Sequence, residues 1–271
     1  MAELLNNLRQ LIELDRAFGV EFTPKGAPVA AETKAPAPAP RPLRVVEAPA
    51  PTVPSRPAAA STRPAFACTG LPAADLVAIA GAVAACAACK LGATRCKTVP
   101  GEGAAAPEIV FIGEGPGSEE DASGRPFVGP AGQLLDRMIR AMGLSREAVF
   151  IANVVKCRPP GNREPEPDEV AACLPFLEAQ LAALHPKVLC TLGNVPLRAL
   201  LGAATPGITR MHGQRLAWRG LPLIPTFHPS YLLRNDEAKK PAWEDLKAVL
   251  AVLGRSPPAR GAPTAPAAGG A

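Results

Sequence analysis

Features that mark membrane-spanning and secreted proteins are missing from this sequence of 271 residues. It has no apolar run of about 18 residues, which a helix needs to cross a bilayer. It also lacks a charged segment followed by an apolar one, as secretory leaders have. We therefore expect a soluble, cytoplasmic protein of bacterial type that makes no contact with a membrane. Its seven cysteines then favour metal or redox chemistry over a disulfide scaffold.

Core-forming residues are scarce over residues 27–66, where ten of the forty residues are proline. Such a composition buries too little apolar surface to offset its ordering entropy, so we predict a disordered linker there and a similar tail over residues 256–271. Residues 1–26 carry leucines at helical spacing, which predicts an amphipathic helix. That helix either folds back on the chain or docks on a protein partner. The compact unit is predicted to span residues 67–255.

Acidic residues are absent from Thr205–Asn235, which holds four arginines and two histidines. The formal net charge of the chain is +5, yet residues 107–255 are close to neutral, with 17 basic and 16 acidic side chains. An acid-free face on a near-neutral domain is typical of a surface that meets phosphate. An ordinary basic surface would give the same pattern.

Short apolar runs alternate with helical patterns through the compact unit. The runs at 108–112, 150–155, 187–192 and 223–227 are predicted strands, and 133–142, 168–184, 195–201 and 243–253 are predicted helices. This alternation predicts an α/β fold with a mostly parallel sheet covered on both faces. Ligands of such folds bind at the carboxyl ends of the strands. We therefore expect a site built from residues 113–121, 153–163 and 227–231.

Four of the cysteines form two clips, a CxxC pair and a second pair 16 residues apart. They are Cys86, Cys89, Cys157 and Cys173. Four thiolates in this arrangement can hold Zn²⁺ or a [4Fe–4S] cluster. The spacing matches neither a zinc ribbon nor a bacterial ferredoxin, and four unrelated buried cysteines remain an alternative. Cys96 is a rival ligand, whereas Cys190, inside an apolar strand, is most simply part of the core.

The glycine-rich turn "GEGPGSEED" at residues 113–121 follows a predicted strand. It has no P-loop lysine and does not fit GxGxxG, and its run of three acids, Glu119 to Asp121, would repel a polyphosphate. A planar, uncharged base suits it better, because glycines let backbone N–H groups approach a ring edge closely. Phe127 can stack on such a ring, Asn153 can read its O=C–N–H edge, and His228 can donate to an oxygen.

Four segments together resemble the family 4 uracil-DNA glycosylases, an iron–sulfur branch of that superfamily. They are "GEGPGSEEDASGRPFVGPAGQLLDRM", "NVVKCRPPGNREPEPDEVAAC", "TLGN" and "HPSYLLR". The resemblance runs from about Cys86 to Leu253. It implies a three-layer α/β/α fold with a four-stranded, mostly parallel sheet. It also implies a monofunctional DNA repair enzyme that hydrolyses the N-glycosidic bond of deoxyuridine in single- or double-stranded DNA, and we expect this enzyme to be a monomer.

The resemblance also implies roles for individual residues. The [4Fe–4S] ligands would be Cys86, Cys89, Cys157 and Cys173. Uracil would be bound by Glu114, Gly115, Pro116, Phe127, Asn153 and His228. Catalysis would fall to His228, Glu120 and Glu114, with Glu120 the first candidate for holding water.

The segment after His228 is expected to contact DNA. A base can be attacked only after it leaves the duplex stack, and Tyr231 or Leu232 is the predicted wedge that fills its place. Ser230 and Arg234 are the accompanying contacts, with Arg234 on a phosphate.

The departures from the resemblance are His212 and the extra Cys96, and two other functions stay open. The Arg-Arg-Ile-His loop, whose His bonds covalently to the sugar in some relatives, is replaced here by "KCRPPGNREPEP". His212 lies elsewhere in the chain and is not its equivalent. The rival functions are a non-enzymatic iron–sulfur DNA-binding module and a small-nucleotide binder that uses the glycine turn.

Overall fold

The computed structural model describes residues 75–258. The predicted helix at residues 1–26, the linker at 27–66 and nearly all of the tail lie outside the described residues, as does Cys68. Within 75–258 the chain has the predicted α/β fold, with helices packed around one sheet.

The sheet has six strands rather than the four that the resemblance implies. They are β1 (Glu102–Gly103), β2 (Ile109–Gly113), β3 (Phe150–Asn153), β4 (Val188–Leu192), β5 (Leu216–Trp218) and β6 (Leu221–Thr226). Their order is β1-β3-β2-β4-β6-β5. The four predicted strands form the parallel centre, and β1 and β5 add antiparallel edges. The two edge strands have two and three residues, too few for an alternation pattern to show in the sequence.

The helices are α1 (Leu76–Ala84), α2 (Ser118–Ser123), α3 (Pro130–Ala141), α4 (Pro167–Leu184), α5 (Asn194–Leu201), α6 (Ile208–Met211), α7 (Pro229–Leu232) and α8 (Lys239–Val252). All four predicted helices are present as α3, α4, α5 and α8. Proline at the first position starts α3 and α4, where its missing N–H costs no hydrogen bond.

Every residue of β2, β3 and β4 is buried. Successive side chains of a strand point to opposite faces, so both faces of the central sheet are covered, as a three-layer fold requires. Helices α5 and α8 are among the elements that pack on these central strands. Among residues 75–258, none of the helices combines the length and apolarity that crossing a membrane requires.

The loop from β3 to α4 is fixed by a buried carboxylate. Glu169, in the first turn of α4, accepts hydrogen bonds from the Arg163 guanidinium at 2.6 and 2.8 Å and from the Glu166 N–H at 2.7 Å. The hydrogen bonds from Arg163 hold the pKa of Glu169 below its usual value. This clamp positions the loop that begins with Cys157 at the carboxyl edge of the sheet.

Candidate active site

A cavity of about 570 Å³ opens at the carboxyl ends of the central strands. The loops after β2, β3, β4 and β6 form its walls, as expected for this fold class. Every residue predicted to bind uracil contributes to it: Glu114, Gly115, Pro116, Phe127, Asn153 and His228. Glu120 lines it as well. Segments separated by more than 100 residues in sequence therefore meet around one ligand-sized space.

Asn153, the last residue of β3, is 1% exposed, and its Oδ1 atom has no hydrogen-bond partner among the described residues. A buried acceptor without a partner costs about 1–3 kcal/mol. An unpaired acceptor in a residue that lines a cavity is a candidate to accept a hydrogen bond from a ligand N–H. The backbone carbonyl of Asn153 is held separately by the Lys156 ammonium at 2.9 Å.

Phe127 adopts a left-handed backbone conformation, with φ at 51°. A bulky residue rarely takes this conformation, and it persists only where its surroundings enforce it. Arg146 supplies part of that constraint by donating to the carbonyls of Pro126 and Phe127. Arg146 is itself held by Asp136 at 2.7 Å and Glu102 at 2.8 Å. The ring of Phe127 is thereby fixed as one wall of the cavity.

His228 follows β6 and caps α7. Its Nδ1 accepts the Ser230 N–H at 3.2 Å and lies 2.7 Å from the Ser230 hydroxyl oxygen. With Nδ1 accepting, the neutral ring carries its proton on Nε2. Burial lowers the pKa of His228 to about 4, although the charge of Glu120 opposes that shift. At neutral pH the ring is therefore an uncharged donor, and it lies 5.7 Å from the Phe127 ring, centroid to centroid.

Glu114 is the carboxylate of the cavity with the most perturbed acidity. Burial raises the pKa of Glu114 to about 7, and the charge of nearby Glu164 adds to the effect. A carboxyl group with this pKa exchanges a proton readily near neutral pH, which is the property general acid–base catalysis uses.

Glu120, which is predicted to hold water, also accepts hydrogen bonds from three backbone N–H groups. Its Oε2 accepts the Gly117 N–H at 3.0 Å, and its Oε1 accepts the N–H groups of Val128 at 2.9 Å and Gly129 at 3.1 Å. The carboxylate thus ties the glycine-rich turn to the loop that carries Phe127. Because three backbone donors already occupy it, Glu120 is a weaker candidate than Glu114 for holding a water molecule.

The segment after His228 corrects one predicted DNA contact. Leu232 is fully buried, so it is not available as a wedge. Tyr231 and Leu233 are each 43% exposed, and Tyr231 stacks on Phe227 with ring centroids 5.5 Å apart. A four-residue helix turns every residue to a different side, which the sequence alone does not reveal. Ser230 and Tyr231 line the cavity and Arg234 is exposed beside it.

The basic residues of the acid-free segment 205–235 differ in their surroundings. Arg219 stacks on Trp218 at 4.7 Å and pairs with Glu178 at 2.8 Å, so its charge is already balanced. Arg210 and Arg234 are exposed and lie close in sequence to Thr209 and Tyr231, which line the cavity. His212 lies behind the cavity wall, with its ring 4.8 Å from that of Phe227.

A second, smaller cavity joins the four cysteines of the two clips. It is lined by residues that include Cys86, Cys89, Cys157 and Cys173. Cys96 is exposed, and its N–H donates to Asp121 at 2.9 Å, so it does not take part in this group. Cys190 lies fully buried in β4, as predicted for a core residue.

The cavity that the four cysteines line has a volume of about 10 Å³. Across residues 75–258 no three His, Cys, Asp or Glu side chains are placed to hold a single metal ion, although four sulfurs surround one space. Arg95 donates to Cys157 Sγ at 3.2 Å, and the Lys156 N–H donates to Cys173 Sγ at 3.2 Å. Burial raises the pKa of Cys173 to about 12, so its thiolate needs a bound cation to persist.

Arg95, Arg146 and Lys156 were missed as site residues by reasoning from the sequence. Each acts on a backbone carbonyl or a sulfur brought close only by the fold, so spacing carries no signal for them. "VVKCRPP" does place a lysine in a buried position next to Cys157, which was the one available clue.

Comparisons with known proteins agree with this geometry. The family model of the Uracil DNA glycosylase superfamily matches residues 100–247. A Type-4 uracil-DNA glycosylase of Thermotoga maritima is 49% identical over 60% of this chain and 86% of that relative. The Type-4 enzymes of Sulfurisphaera tokodaii and Saccharolobus solfataricus are 44% and 43% identical, over 62% and 66% of this chain and 80% and 87% of the relatives.

Proposed function

Because the chain belongs to the Uracil DNA glycosylase superfamily, it is an enzyme that removes uracil from DNA, and we propose which of its residues bind the base, break the bond and contact the DNA. The observation that carries the proposal is the buried, partnerless Oδ1 of Asn153 in the cavity that Phe127 and His228 also line. A uracil ring offers the N–H that this oxygen lacks.

Base recognition falls to Asn153 and Phe127. The side-chain oxygen Oδ1 of Asn153 accepts a hydrogen bond from uracil N3–H, and its side-chain NH₂ donates to uracil O4. Phe127 stacks on the ring. Gly115 and Pro116 lie along the ring edge, where their backbone excludes bulkier bases. Cytosine has an acceptor at N3 and a donor at N4, the reverse of uracil, so it makes neither hydrogen bond and is excluded.

His228 stabilises the leaving group. When the glycosidic bond breaks, its electron pair moves to uracil N1 and the negative charge spreads to O2. The Nε2–H of neutral His228 donates to that oxygen. A fixed donor of this kind contributes about 3–4 kcal/mol in other enzymes. The low pKa of His228 keeps it a neutral donor throughout the physiological range.

Glu114 handles the water. The oxygen of a water molecule adds to C1′ of the sugar cation, and its proton passes to the Glu114 carboxylate and then to solvent. Support for this choice is the pKa of Glu114 of about 7 and the engagement of Glu120 by three backbone N–H groups. Glu120 acts by holding the two loops of the cavity together.

The DNA is held at the mouth of the cavity by α7 and its neighbours. Tyr231, with Leu233 beside it, enters the gap left by the extruded nucleotide. Ser230 and Arg234 contact the adjacent phosphates, and Arg210 extends this basic rim.

The four cysteines Cys86, Cys89, Cys157 and Cys173 hold a [4Fe–4S] cluster in this proposal. The N–H groups of Ala88, Arg95 and Lys156 donate to three of these sulfurs, and the positive charge of the Arg95 guanidinium suits a negatively charged cluster. When bound, such a group would join the segment that follows α1, the β3–α4 loop and α4 into one unit.

An excision assay tests the proposal. A duplex with one U·G pair is incubated with the enzyme and then treated with alkali, which cleaves an abasic site. We expect strand cleavage from wild type and a loss of about 100-fold or more from His228→Ala. A protein that binds the duplex without producing alkali-labile sites would be a DNA-binding module instead. Binding of free nucleotides without cleavage would favour the nucleotide-binding alternative.

A further inference from the structure

Lys156 occupies a position that is costly for a lysine. Its side chain is 1% exposed, between the strand end that carries Asn153 and helix α4. Its Nζ donates to the Asn153 backbone carbonyl at 2.9 Å and to Gln180 Oε1 at 2.6 Å. Both acceptors are neutral, so they satisfy the hydrogen bonds of the ammonium group without balancing its charge. Burying an ammonium group is expensive and indicates a specific need for it.

Lys156 is hydrogen-bonded to a residue of each cavity, Asn153 of the first and Cys173 of the second. Its backbone N–H donates to Cys173 Sγ at 3.2 Å, and its carbonyl accepts the Val99 N–H at 2.8 Å. Cys173 and Gln180 lie on the same helix, seven residues apart, which is two turns and therefore one face. Gln180 continues the chain of bonds by donating to the Pro100 carbonyl at 2.7 Å.

Among residues 75–258 no hydrogen bond holds the Asn153 Oδ1 atom, which lies beside Gly113 and the ring of Phe127. The Oδ1 atom is buried and unpaired, so the direction of the amide also depends on how the backbone of Asn153 is held. Within residues 75–258 the Lys156 ammonium is the side chain that bonds this carbonyl. A shift of about 1 Å in a positioned group costs up to about 100-fold in rate.

We propose that Lys156 is a positioning residue that fixes the uracil reader Asn153 to helix α4, and through it to the cysteine site. The inference rests on the proposed role of Asn153 in reading uracil. Lys156 touches neither the base nor the reacting atoms. It makes the geometry of the reader depend on the helix that carries Cys173, which gives the cysteine site an influence on base recognition without any electron transfer.

A double-mutant cycle tests this role. The variants are Lys156→Met and Asn153→Ala, alone and together, with kcat/KM for uracil excision measured at each corner. We expect Lys156→Met to lower kcat/KM by up to about 100-fold in the wild-type background. In the Asn153→Ala background it should change kcat/KM by no more than about twofold, because the group it positions is gone. Equal losses in both backgrounds, or no loss in either, would overturn the proposal.

Two measurements and a control variant separate positioning from a general loss of structure. Iron content and visible absorbance of Lys156→Met should equal those of wild type. If that variant fails to fold or to hold iron, Gln180→Met, which removes one acceptor of Nζ and keeps the side-chain volume, takes its place in the cycle with the same expectation. Thr191→Val, a buried change on β4 away from the cavity, is the matched control and should leave kcat/KM unchanged in both backgrounds.

The same double-mutant cycle, measured on the binding of free uracil, tests the role of Lys156 separately from the proposed function. Affinity for uracil is measured by competition or calorimetry and needs no catalysis. If wild type failed to excise uracil, the proposed function would fall, and coupling between Lys156 and Asn153 in uracil affinity would still decide the role of Lys156. Independent effects of the two substitutions on affinity would contradict it.

Discussion

Gly113 lies so close to Asn153 that a Cβ atom on it would be 2.4 Å from the Asn153 Oδ1 and 2.5 Å from the ring of Phe127. Its backbone conformation is not a left-handed one, so the need for glycine here is steric. Gly113→Ala should push the base reader and the stacking ring apart. We expect kcat/KM for uracil excision to fall about 100-fold, measured with an oligonucleotide that contains one uracil.

Gly81 provides the control for this substitution. A Cβ at Gly81 meets nothing within 4 Å, and the residue lies inside α1. Gly81→Ala should leave activity unchanged and raise stability slightly, since alanine favours a helix by up to about 1 kcal/mol. Wild-type activity in Gly113→Ala would show that the contact between Gly113 and Asn153 does not shape the site.

Activity should depend on pH through Glu114. Because burial raises the pKa of Glu114 to about 7, and its carboxylate form accepts the proton of water, kcat/KM should rise with pH through about 7. Glu114→Gln should remove this rise and lower the plateau by about 100-fold or more. Glu164→Gln should move the rise to lower pH, because the charge of Glu164 contributes to the shift. A rise that survives in Glu114→Gln would assign the proton to another group.

The stability of the folded protein should fall as pH rises, whereas activity should rise, because both depend on the protonation of Glu114. The folded-state pKa of Glu114, about 7, lies above its ordinary value of 4.5. The folded protein therefore binds this proton more tightly than the unfolded chain, so the contribution is present below about pH 4.5 and is lost as pH rises through about 7. The Tm of wild type, measured relative to Glu114→Gln, should decline over this range. A difference in Tm that does not vary with pH would contradict the assignment.

Substitutions should distinguish the four cysteines proposed to hold the cluster from Cys96, which lies outside their cavity. We expect about four irons per chain and absorbance near 400 nm, as a Cys₄-bound [4Fe–4S] cluster gives. Cys173→Ser should lose both, while Cys96→Ser, at an exposed cysteine outside the cavity, should keep both. Zinc in place of iron would refute the cluster, and the reverse pattern for the two variants would reassign the fourth ligand.

The central strands of the sheet, and the sheet edge that carries the site, are predictable from the sequence. The central strands are buried on both faces, so they read as continuous apolar runs, and "KVLCTL" marks β4 for that reason. Gly113 and Asn153 end neighbouring parallel strands and pair in register. Placing the glycine turn and the Asn at one sheet edge therefore required only the order of elements. The resemblance then supplied the roles that the residues alone left open.

The sequence could not give the contacts that support these groups. Arg146 reaches Phe127 from a loop 19 residues away, and no periodic pattern records such a bond. Leu232 and Tyr231 are neighbours with opposite exposure because α7 is a single turn. The motif predicts a catalytic role for Glu120 but does not reveal its hydrogen bonds with the Val128 and Gly129 N–H groups, which only the fold brings close.

The segment before the compact unit should be dispensable for the chemistry. Residues 1–66 include the proline-rich linker, whose composition separates them from the glycosylase domain. A chain that begins at residue 67 should excise uracil from short oligonucleotides at a nearly unchanged rate. A large fall in kcat for the shortened chain, with its iron retained, would show that residues 1–66 belong to the catalytic unit.

Base choice by Asn153→Asp is the most direct measurement of the central claim, that Asn153 reads the base. Uracil makes two hydrogen bonds with the amide and cytosine makes neither, which leaves two groups unpaired at about 1–3 kcal/mol each. Asn153→Asp should lose uracil excision and gain weak cytosine excision, since a carboxylate accepts from cytosine N4. Phe127→Ala, the control, should lower uracil excision without opening the site to cytosine. Wild-type uracil excision by Asn153→Asp would contradict the account.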